Sequence, residues 1–299
     1  MSKIVVIGAS NNDIMLRTDK KAVLHDSNPG TMKVTDGGVG RNITETLARL
    51  GHDVTFMTAL AEDEPGRRIR GNLELLSVNV INARVQKTPV YAAIMDANGD
   101  LVCGVADMEG ITRLGPSLIK AHAKTIGTSD LLVVDANLCH EALEAVFSVS
   151  RDVPVYADGI STTKVMRLKP YLDRFAGLKV NRMEAATLMG LPETSTPETL
   201  VQALLSTGLD KVFLSLGEEG LMIADKTESR AMKPLVTEVR NTSGAGDALF
   251  SGIMHGLLEG HDPLVSGLVL AGLVVRSDDT VPKDLTLERF TQMIEDVKP

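Results

Sequence analysis

The sequence is poor in the residues that build disulfide frameworks and aromatic binding platforms. Only two of its 299 residues are cysteines, Cys103 and Cys139, and they lie far apart and form no CxxC pair. This pattern excludes a zinc ribbon and a redox pair, and it is typical of isolated thiols in a reducing compartment. Tryptophan is absent and aromatic residues make up 3% of the chain, which disfavours a protein that stacks the bases of single-stranded nucleic acids.

Long apolar runs and an excess of positive charge are also missing. The sequence has no apolar run of the roughly 18 residues that a transmembrane helix needs, so no contact with a membrane is expected. The first residues, MSKIVVIGAS, lead directly into the polar NND and lack the features of a signal peptide, which predicts a cytoplasmic protein. The formal net charge is −8, whereas a nucleic-acid surface needs a basic stripe.

What the chain does contain is an alternation of short β-branched runs with longer amphipathic segments. The runs predict buried strands at residues 3–9, 54–60, 131–137, 153–159, 178–181 and 212–217. Helices are predicted at residues 41–51, 140–150 and 196–208, the last with Thr196 as its cap and Pro197 in its first turn. We therefore predict an α/β fold, in which helices flank both faces of a central, mostly parallel β-sheet.

Two regions interrupt this alternation. Residues 12–38 have no helical stripe and contain a turn signal, Asn28-Pro29-Gly30, and residues 88–108 contain Asn98-Gly99 between two β-rich runs, which indicates a hairpin. Both regions are predicted to form a small antiparallel sheet outside the main one. Such a sheet can be a lid over a ligand at the carboxyl ends of the parallel strands or an ordinary edge hairpin, and the sequence leaves both open.

A glycine-rich turn precedes the first predicted helix. In DGGVGRN, residues 36–42, Gly37 and Gly38 allow backbone N–H groups to approach a ligand closely. Asn42, about one turn into the helix, can present its amide to a hydroxyl group. A glycine-rich turn that only begins a helix is the alternative, and it is the more common arrangement. The P-loop pattern GxxxxGK[ST] is absent from the chain.

A second small-residue stretch, NTSGAGDALFSG, covers residues 241–252. Gly244, Ala245 and Gly246 leave the start of an apolar helix open, so that its free amides and its dipole form an anion site. Asp247 follows at once and can take a proton from a hydroxyl that attacks a phosphoryl group held there. Asp247 as a simple helix cap is the alternative, but a cap does not require three small residues before it.

Two further candidates follow predicted strands between these stretches. In NRME, Glu184 lies three residues after Asn181, which suits either a capping box or a magnesium-bound water beside nucleotide phosphates. In SLGEEG, Ser215, Gly217 and Gly220 can wrap a nucleotide or form a plain turn into the following strand.

The pair GGVGRN near the amino terminus and NTSGAGDALFSG near the carboxyl terminus resembles the two signatures of the PfkB, or ribokinase-like, carbohydrate and nucleoside kinases. The resemblance runs from residue 3 to about residue 290. It implies a single ribokinase-like domain over residues 1–299, with the small β-lid formed by about residues 12–38 and 88–108. It also implies ATP and Mg²⁺ as cofactors.

A narrower resemblance to bacterial pseudouridine kinases is carried by residues 26–51, 153–185 and 276–286. It implies phosphorylation of pseudouridine at its 5′-hydroxyl. The alternatives are a kinase for another ribonucleoside or ribose, and a non-catalytic nucleoside-binding regulator on the same fold. Relatives often pair through their lids, so the resemblance also implies a homodimer.

The resemblance assigns roles to the residues of these motifs. For the substrate it implies that Asp13, with Asn11 beside it, holds the secondary hydroxyls of the sugar, and that Lys164 in ISTTK reaches the uracil ring. The residues implied to bind ribose are Gly37, Gly38 and Asn42, and those implied to bind the nucleotide are Asn181, Glu184, Ser215, Gly217 and Gly220.

For the reaction itself, the resemblance implies that Gly244, Ala245 and Gly246 form the anion hole. Asp247 is the implied catalytic base, and Glu184 holds magnesium through water. The chain departs from many relatives at Gly159 and Val180, where they have proline. Asn241 replaces an acid that helps build a potassium site in many ribokinases, so a role for K⁺ stays open.

Overall fold

The structure is a computed structural model that describes residues 1–235 and 239–297. Its strands are β1 (Lys3–Ile7), β2 (Asn11–Thr18), β3 (Gly30–Gly37), β4 (Asp53–Leu60), β5 (Asn79–Arg84), β6 (Val90–Met95), β7 (Leu101–Asp107), β8 (Leu131–Asp135), β9 (Val155–Asp158), β10 (Gly177–Asn181), β11 (Lys211–Ser215), β12 (Leu221–Asp225) and β13 (Ser229–Met232). Its α-helices are α1 (Val39–Arg49), α2 (Glu64–Glu74), α3 (Pro116–Ala121), α4 (Ala123–Gly127), α5 (His140–Ser150), α6 (Thr162–Val165), α7 (Arg182–Met189), α8 (Pro197–Leu205), α9 (Ala245–Glu259), α10 (Pro263–Val275) and α11 (Leu287–Asp296).

Nine of the strands form the main sheet, in the order β13-β12-β11-β10-β9-β8-β1-β4-β5. The seven strands from β11 to β5 in this order run parallel to their neighbours, whereas β12 and β13 are antiparallel additions at one edge. The prediction of a mostly parallel α/β sheet is confirmed. Since the connections place the carboxyl ends of the parallel strands along one edge, the loops that leave those ends meet there.

Helices cover both faces of the main sheet, and β1 shows why its sequence is continuously apolar. Val5 and Ile7 belong to the buried cluster on one face, which also contains residues of α3, α5 and α8, while Ile4 and Val6 belong to the cluster on the other face, with residues of α1, α9 and α10. A parallel strand buried on both faces has no solvent side, so it needs no polar alternation. No helix within the described residues is long and apolar enough to cross a membrane.

A separate four-stranded sheet, here called the lid sheet, has the order β3-β2-β6-β7. The predicted small β-sheet is thus present, but it is mixed and not antiparallel throughout, because the two central strands β2 and β6 run parallel. Gly99 takes a positive φ of 91° at the predicted hairpin turn. Arg68 of α2 ties the base of this sheet to the main body. Its guanidinium donates to the Asp36 carboxylate at 2.9 Å and to the Asn12 side chain at 2.8 Å.

Candidate active site

The glycine-rich turn before α1 lies against the start of the lid sheet. A Cβ atom on Gly37 would lie 2.1 Å from a carboxylate oxygen of Asp13, so only glycine lets the backbone pass so close to that acid. Gly38 has a φ of 99°, and a Cβ there would meet the backbone of Ala9 and Ser10. Both glycines are therefore required by the packing of the turn.

Asp13 is the acid of this turn, and its neighbour Asn11 is bound to it. The Asn11 side-chain amide donates to the Asp13 carboxylate at 2.5 Å. Burial raises the pKa of Asp13 above its usual value, and the bond from Asn11 opposes that rise. The structure thus brings together four of the residues expected to hold a sugar, namely Asn11, Asp13, Gly37 and Gly38.

The second glycine stretch forms the N-terminus of α9. Gly244 is the N-cap residue, with a φ of 79°, and no side chain of the residues that the structure describes caps this end of the helix. The first amides of a helix have no partner within it. The amide of Ala245 makes a long bond of 3.3 Å to the Thr242 carbonyl, which leaves the amides of Gly246 and Asp247 as the better placed donors for an anion.

Asp247 and Asn42 join the two glycine stretches directly. The Asn42 Nδ2 atom donates to the Asp247 carboxylate at 2.7 Å, across 205 residues of sequence. Burial, followed by the charge of Asp158, raises the pKa of Asp247 to about 7, while Lys179 and the bond from Asn42 oppose the rise. A carboxylate with a pKa near neutrality is suited to accept a proton and release it again.

Two charged residues that were not predicted from the sequence lie beneath this helix end. Lys179 of β10 and Asp158 of β9 are both buried, and the Lys179 ammonium lies 3.1 Å from the Asp158 carboxylate. A Cβ on Gly246 would lie 2.9 Å from that ammonium, which places a cation directly under the first turn of α9. Asp158 is the last residue of β9, at the edge of the sheet where ligand-binding residues of parallel sheets concentrate, whereas Lys179 lies in the middle of β10.

Asp135 at the end of β8 is a third residue that the sequence analysis missed. Its carboxylate accepts from the amides of Ala9 at 2.8 Å and Gly40 at 3.2 Å, and it thereby fixes the start of α1 against β1. Lys164 of α6 is partly buried near this carboxylate. Burial lowers the pKa of Lys164, and Asp135 opposes that effect.

Asn181 and Glu184 form a capping box at the start of α7, which is one of the two alternatives that the sequence predicts for them. The Asn181 side chain accepts from the Glu184 amide at 2.8 Å, and the Glu184 carboxylate accepts from the Asn181 amide at 2.9 Å. Glu184 is buried, and burial raises its pKa. A second bond of 2.8 Å from the Asn181 side chain engages the other carboxylate oxygen, so a magnesium-bound water has to share these oxygens.

Magnesium fits this site only as an ion that is bound mainly by water and by the phosphates of the nucleotide, not by protein side chains. Among the described residues no group of three or more His, Cys, Asp or Glu side chains can bind a metal. Mg²⁺ in phosphoryl-transfer sites commonly keeps several waters and is bound by substrate phosphates and one or two carboxylates. Glu184 is the residue that would hold such an ion, through water.

The remaining nucleotide candidates lie beside Asn181. Ser215 is the register partner of Asn181 on the neighbouring strand β11. Gly217 and Gly220 have φ values of 58° and 99° in the turn between β11 and β12, and a Cβ on Gly220 would lie 2.0 Å from the Met232 carbonyl. The backbone of the turn alone accounts for these glycines, and their contact with a nucleotide stays a prediction.

A cavity of about 1170 Å³ separates the lid sheet from the main body. Its walls include Asp13 and Tyr91 of the lid sheet and, on the other side, Ser243 and Thr280. The Thr280 carbonyl lies 2.7 Å from the position of a Cβ on Gly244. The cavity therefore extends from the acid of the glycine turn to the N-terminus of α9, and it has room for a small organic substrate.

Asn241 lies at the edge of this cavity and is engaged locally. Its side-chain oxygen accepts from the Ser243 amide at 2.9 Å, which forms a tight turn before Gly244. This contact explains asparagine at the position by local structure. It assigns no cation to the site.

Comparison with known proteins places this arrangement in a family. A pseudouridine kinase of Escherichia coli strain K12 is 30% identical over 263 residues, which cover 86% of this chain and 84% of the relative. A guanosine-inosine kinase of Exiguobacterium acetylicum is 24% identical over 293 residues, with 93% of this chain and 96% of the relative covered. The crystal structure of a ribokinase from Thermotoga maritima superposes with a TM-score of 0.86 at 22% identity, covering 98% of this chain and all of that one.

The fold is thus ribokinase-like, and the sequence evidence is more specific than the fold. The model of the pfkB family of carbohydrate kinases matches residues 1–280. Members of this family transfer a phosphoryl group to a hydroxyl acceptor and use ATP, generally with Mg²⁺. The chain belongs to the pfkB family of carbohydrate kinases.

Proposed function

We propose that this kinase phosphorylates pseudouridine at its 5′-hydroxyl, with ATP as the donor. The observation that carries the chemistry is the 2.7 Å contact between Asn42 and Asp247, which joins the glycine turn to the open helix end. The similarity to the pseudouridine kinase of Escherichia coli supports the choice of acceptor. Cytoplasmic location stays a prediction from the sequence.

In this proposal the residues of the glycine turn orient the sugar. Asp13 accepts hydrogen bonds from the secondary hydroxyls, and Asn42 holds the ribose so that its 5′-oxygen points at Asp247. Fixing the acceptor in line with the γ-phosphate removes much of the entropic cost of the reaction. The lid sheet covers the cavity and keeps out water that would otherwise compete as acceptor.

Asp247 then takes the proton of the 5′-hydroxyl as the oxygen attacks the γ-phosphorus and the bond to ADP breaks. The amides at the start of α9 donate to the phosphoryl oxygens, on which negative charge develops. The Lys179 ammonium beneath Gly246 adds positive charge at the same place. Magnesium, where bound, neutralises charge on the nucleotide phosphates.

Lys164 is proposed to donate to a carbonyl oxygen of the uracil ring. A lysine has only donors, so it can read a carbonyl of either uridine or pseudouridine. Discrimination between these nucleosides requires an acceptor for the additional ring N–H of pseudouridine, because a site built to pair such a group rejects an analogue that lacks it.

A kinase for another ribonucleoside is the second candidate. It is favoured by the similarity to a guanosine-inosine kinase, which covers a larger share of this chain at lower identity. The catalytic residues would keep the same roles in that case. Only the contacts with the nucleobase of the substrate, including the contact of Lys164, would differ.

ATP consumption with pseudouridine, uridine, guanosine, cytidine and ribose as acceptors tests the proposal. We expect the highest kcat/KM with pseudouridine. Asp247→Asn should lower turnover by about 10²- to 10⁴-fold, the usual contribution of a general base. Asp262→Asn is the matched control, since Asp262 caps α10 and asparagine can replace it as a cap. Equal rates with uridine and pseudouridine would contradict the assignment of pseudouridine as the acceptor. Normal turnover of Asp247→Asn would contradict the assignment of Asp247 as the catalytic base.

We also propose that two copies of the chain pair through the lid sheet. The sheet face opposite Asp13 and Tyr91 is apolar, and these of its side chains are exposed: Leu16, Met32, Val34, Ile94 and Val105. An exposed apolar sheet face of this kind favours association. Sedimentation velocity at micromolar concentration should give a dimer, and a monomer throughout contradicts the proposal.

A further inference from the structure

Arg41 lies next to Asn42 and is bound to it. The Arg41 Nη1 atom donates to the Asn42 Oδ1 atom at 2.9 Å, while the Asn42 Nδ2 atom donates to Asp247. Both the oxygen and the nitrogen of the Asn42 side-chain amide therefore have a protein partner, and one N–H of the Nδ2 atom remains for a hydroxyl of the ribose. Arg41 and Asn42 are 8% and 6% exposed, so water does not readily replace these bonds.

The chemistry of the two partners dictates how the Asn42 amide is turned. A guanidinium has donors only, so the group that faces Arg41 has to be the amide oxygen. A carboxylate accepts, so Asp247 favours the amide nitrogen while it is ionised. Once Asp247 has taken a proton it can donate as well, and Asp247 alone no longer fixes the amide. Arg41 fixes it in both protonation states.

Glu45 and Asp36 hold Arg41 in this position. The Arg41 guanidinium is paired with the Glu45 carboxylate one turn along α1, and it also donates to the Asp36 carbonyl at 3.2 Å. Glu45 is itself buried and accepts two further bonds from Arg49, at 2.8 and 2.9 Å. A buried arginine with three directed bonds is more rigid than an exposed one, because its rotamers are restricted by each partner.

We propose that Arg41 is a positioning residue that acts through Asn42. It keeps the Asn42 Nδ2 atom directed at Asp247 throughout the proton transfer, and Glu45 holds Arg41 for this purpose. This inference rests on the proposed role of Asp247 as the base, and it adds a residue whose contact with the reacting atoms is indirect. Arg41 also lines the cavity, so a direct contact with the nucleoside is the competing role.

A double-mutant cycle separates these two roles, with Arg41→Met, Asn42→Ala and the double variant. We expect each single variant to lower kcat by about 10- to 100-fold, the usual range for a hydrogen bond to a charged group, with the KM for ATP unchanged. The double variant should be no slower than Asn42→Ala alone. Arg41→Met should fold, because Glu45 remains paired with Arg49.

Arg41→Lys and Arg49→Met complete the test. Lysine can still donate to the Asn42 oxygen, so Arg41→Lys should recover most of the lost kcat. Arg49→Met leaves the Arg41–Asn42 bond in place, so this variant should turn over normally. Multiplicative losses in the double variant, or no recovery with lysine, overturn the inference. Failure of the proposed function shows differently, as a wild-type enzyme that prefers another acceptor or as full activity of Asp247→Asn.

Discussion

At the scale of single residues, the ionisation of Asp247 depends on charges from several strands. Asp158 of β9 and Asp135 of β8 raise its pKa together with burial, whereas Lys179 of β10 and the bond from Asn42 of α1 lower it. A proton acceptor has to be ionised in the free enzyme. The acid limb of kcat/KM should therefore rise with pH through about 7, the pKa of this carboxyl.

Substitution of the buried pair should move that limb in opposite directions. Asp158→Asn removes a negative charge and leaves Lys179 positive, which favours ionised Asp247 and should shift the limb to lower pH by about one unit. Lys179→Met removes the opposing cation and should shift it to higher pH. The measurement is kcat/KM between pH 5 and 9 for the three proteins. A shift of both variants in one direction contradicts this account of the pair.

The residues that could be predicted from the sequence are those that belong to contiguous motifs. Asn42 and Asp247 each follow a run of small residues, and that local pattern identified them. Lys179 is different, because a single lysine in LKVN looks like an exposed position of a strand. Its burial follows from the approach of α9 to β10, which no local pattern describes. Arg41 was missed although it lies within the DGGVGRN motif, because the motif does not show that its side chain is buried and bonded to Asn42 and Glu45.

At the scale of elements, the two ends of α9 offer a matched comparison. Gly244 at its start and Gly260 at its end have φ values of 79° and 75°, which cost a residue with a Cβ about 1 kcal/mol or more. At Gly244 a Cβ would also meet the Thr280 carbonyl at 2.7 Å, whereas a Cβ at Gly260 would meet no described atom within 4 Å other than those of its chain neighbours and its own helix backbone. The two sites therefore differ mainly in packing against the Thr280 segment.

Gly244→Ala should lower both stability and turnover, while Gly260→Ala should lower stability alone. Because Thr280 presents backbone, the helix start itself has to shift in Gly244→Ala, and a displacement near 1 Å at a catalytic group can cost about 100-fold in rate. Gly260→Ala should lose roughly 1 kcal/mol and keep its kcat. Urea unfolding and initial rates measure the two effects. An equal loss of kcat in both variants would show that helix stability, not the geometry of its N-terminus, limits the rate.

The elements that were predicted correctly carry their own terminal signals. Helix α8 begins at Pro197, where the Thr196 hydroxyl accepts from the Thr199 amide, and the left-handed Gly208 follows its end. The hairpin between β6 and β7 was likewise predicted from its own turn signal, Asn98-Gly99. Strands β5 and β13 were not predicted. They lie at the two edges of the main sheet and contain the polar segments NVINAR and SRAM, so only their pairing with β4 and β12 stabilises them as strands.

At the scale of the whole molecule, a buried pair of histidines links distant parts of the chain. His52, just before β4, contacts His255 of α9 through their ring nitrogens at 2.9 Å. His255 is 1% exposed, stacks edge-on against Phe290 of α11, and its Nε2 atom has no hydrogen-bond partner among the described residues. The pair therefore lies where α9, α11 and the start of β4 meet, about two turns along α9 from Asp247.

This pair should make folding sensitive to mild acid. Burial lowers the pKa of His52, and burial together with His52 lowers the pKa of His255 to about 4, whereas both are near 6.5 in the unfolded chain. The unfolded state thus binds more protons below pH 6.5, so the stability present above that pH is lost as the pH falls toward 4. The loss at His255 should be on the order of 2 kcal/mol.

Urea unfolding of the wild type and His255→Leu at pH 8 and pH 5 tests this prediction. The variant lacks the hydrogen bond to His52 and should be less stable at pH 8, but its stability should change less between the two pH values. His25→Asn is the control, because His25 is exposed in the left-handed region that asparagine tolerates, and it should keep the wild-type difference. An unchanged pH dependence in His255→Leu would contradict the assignment of the acid sensitivity to this pair.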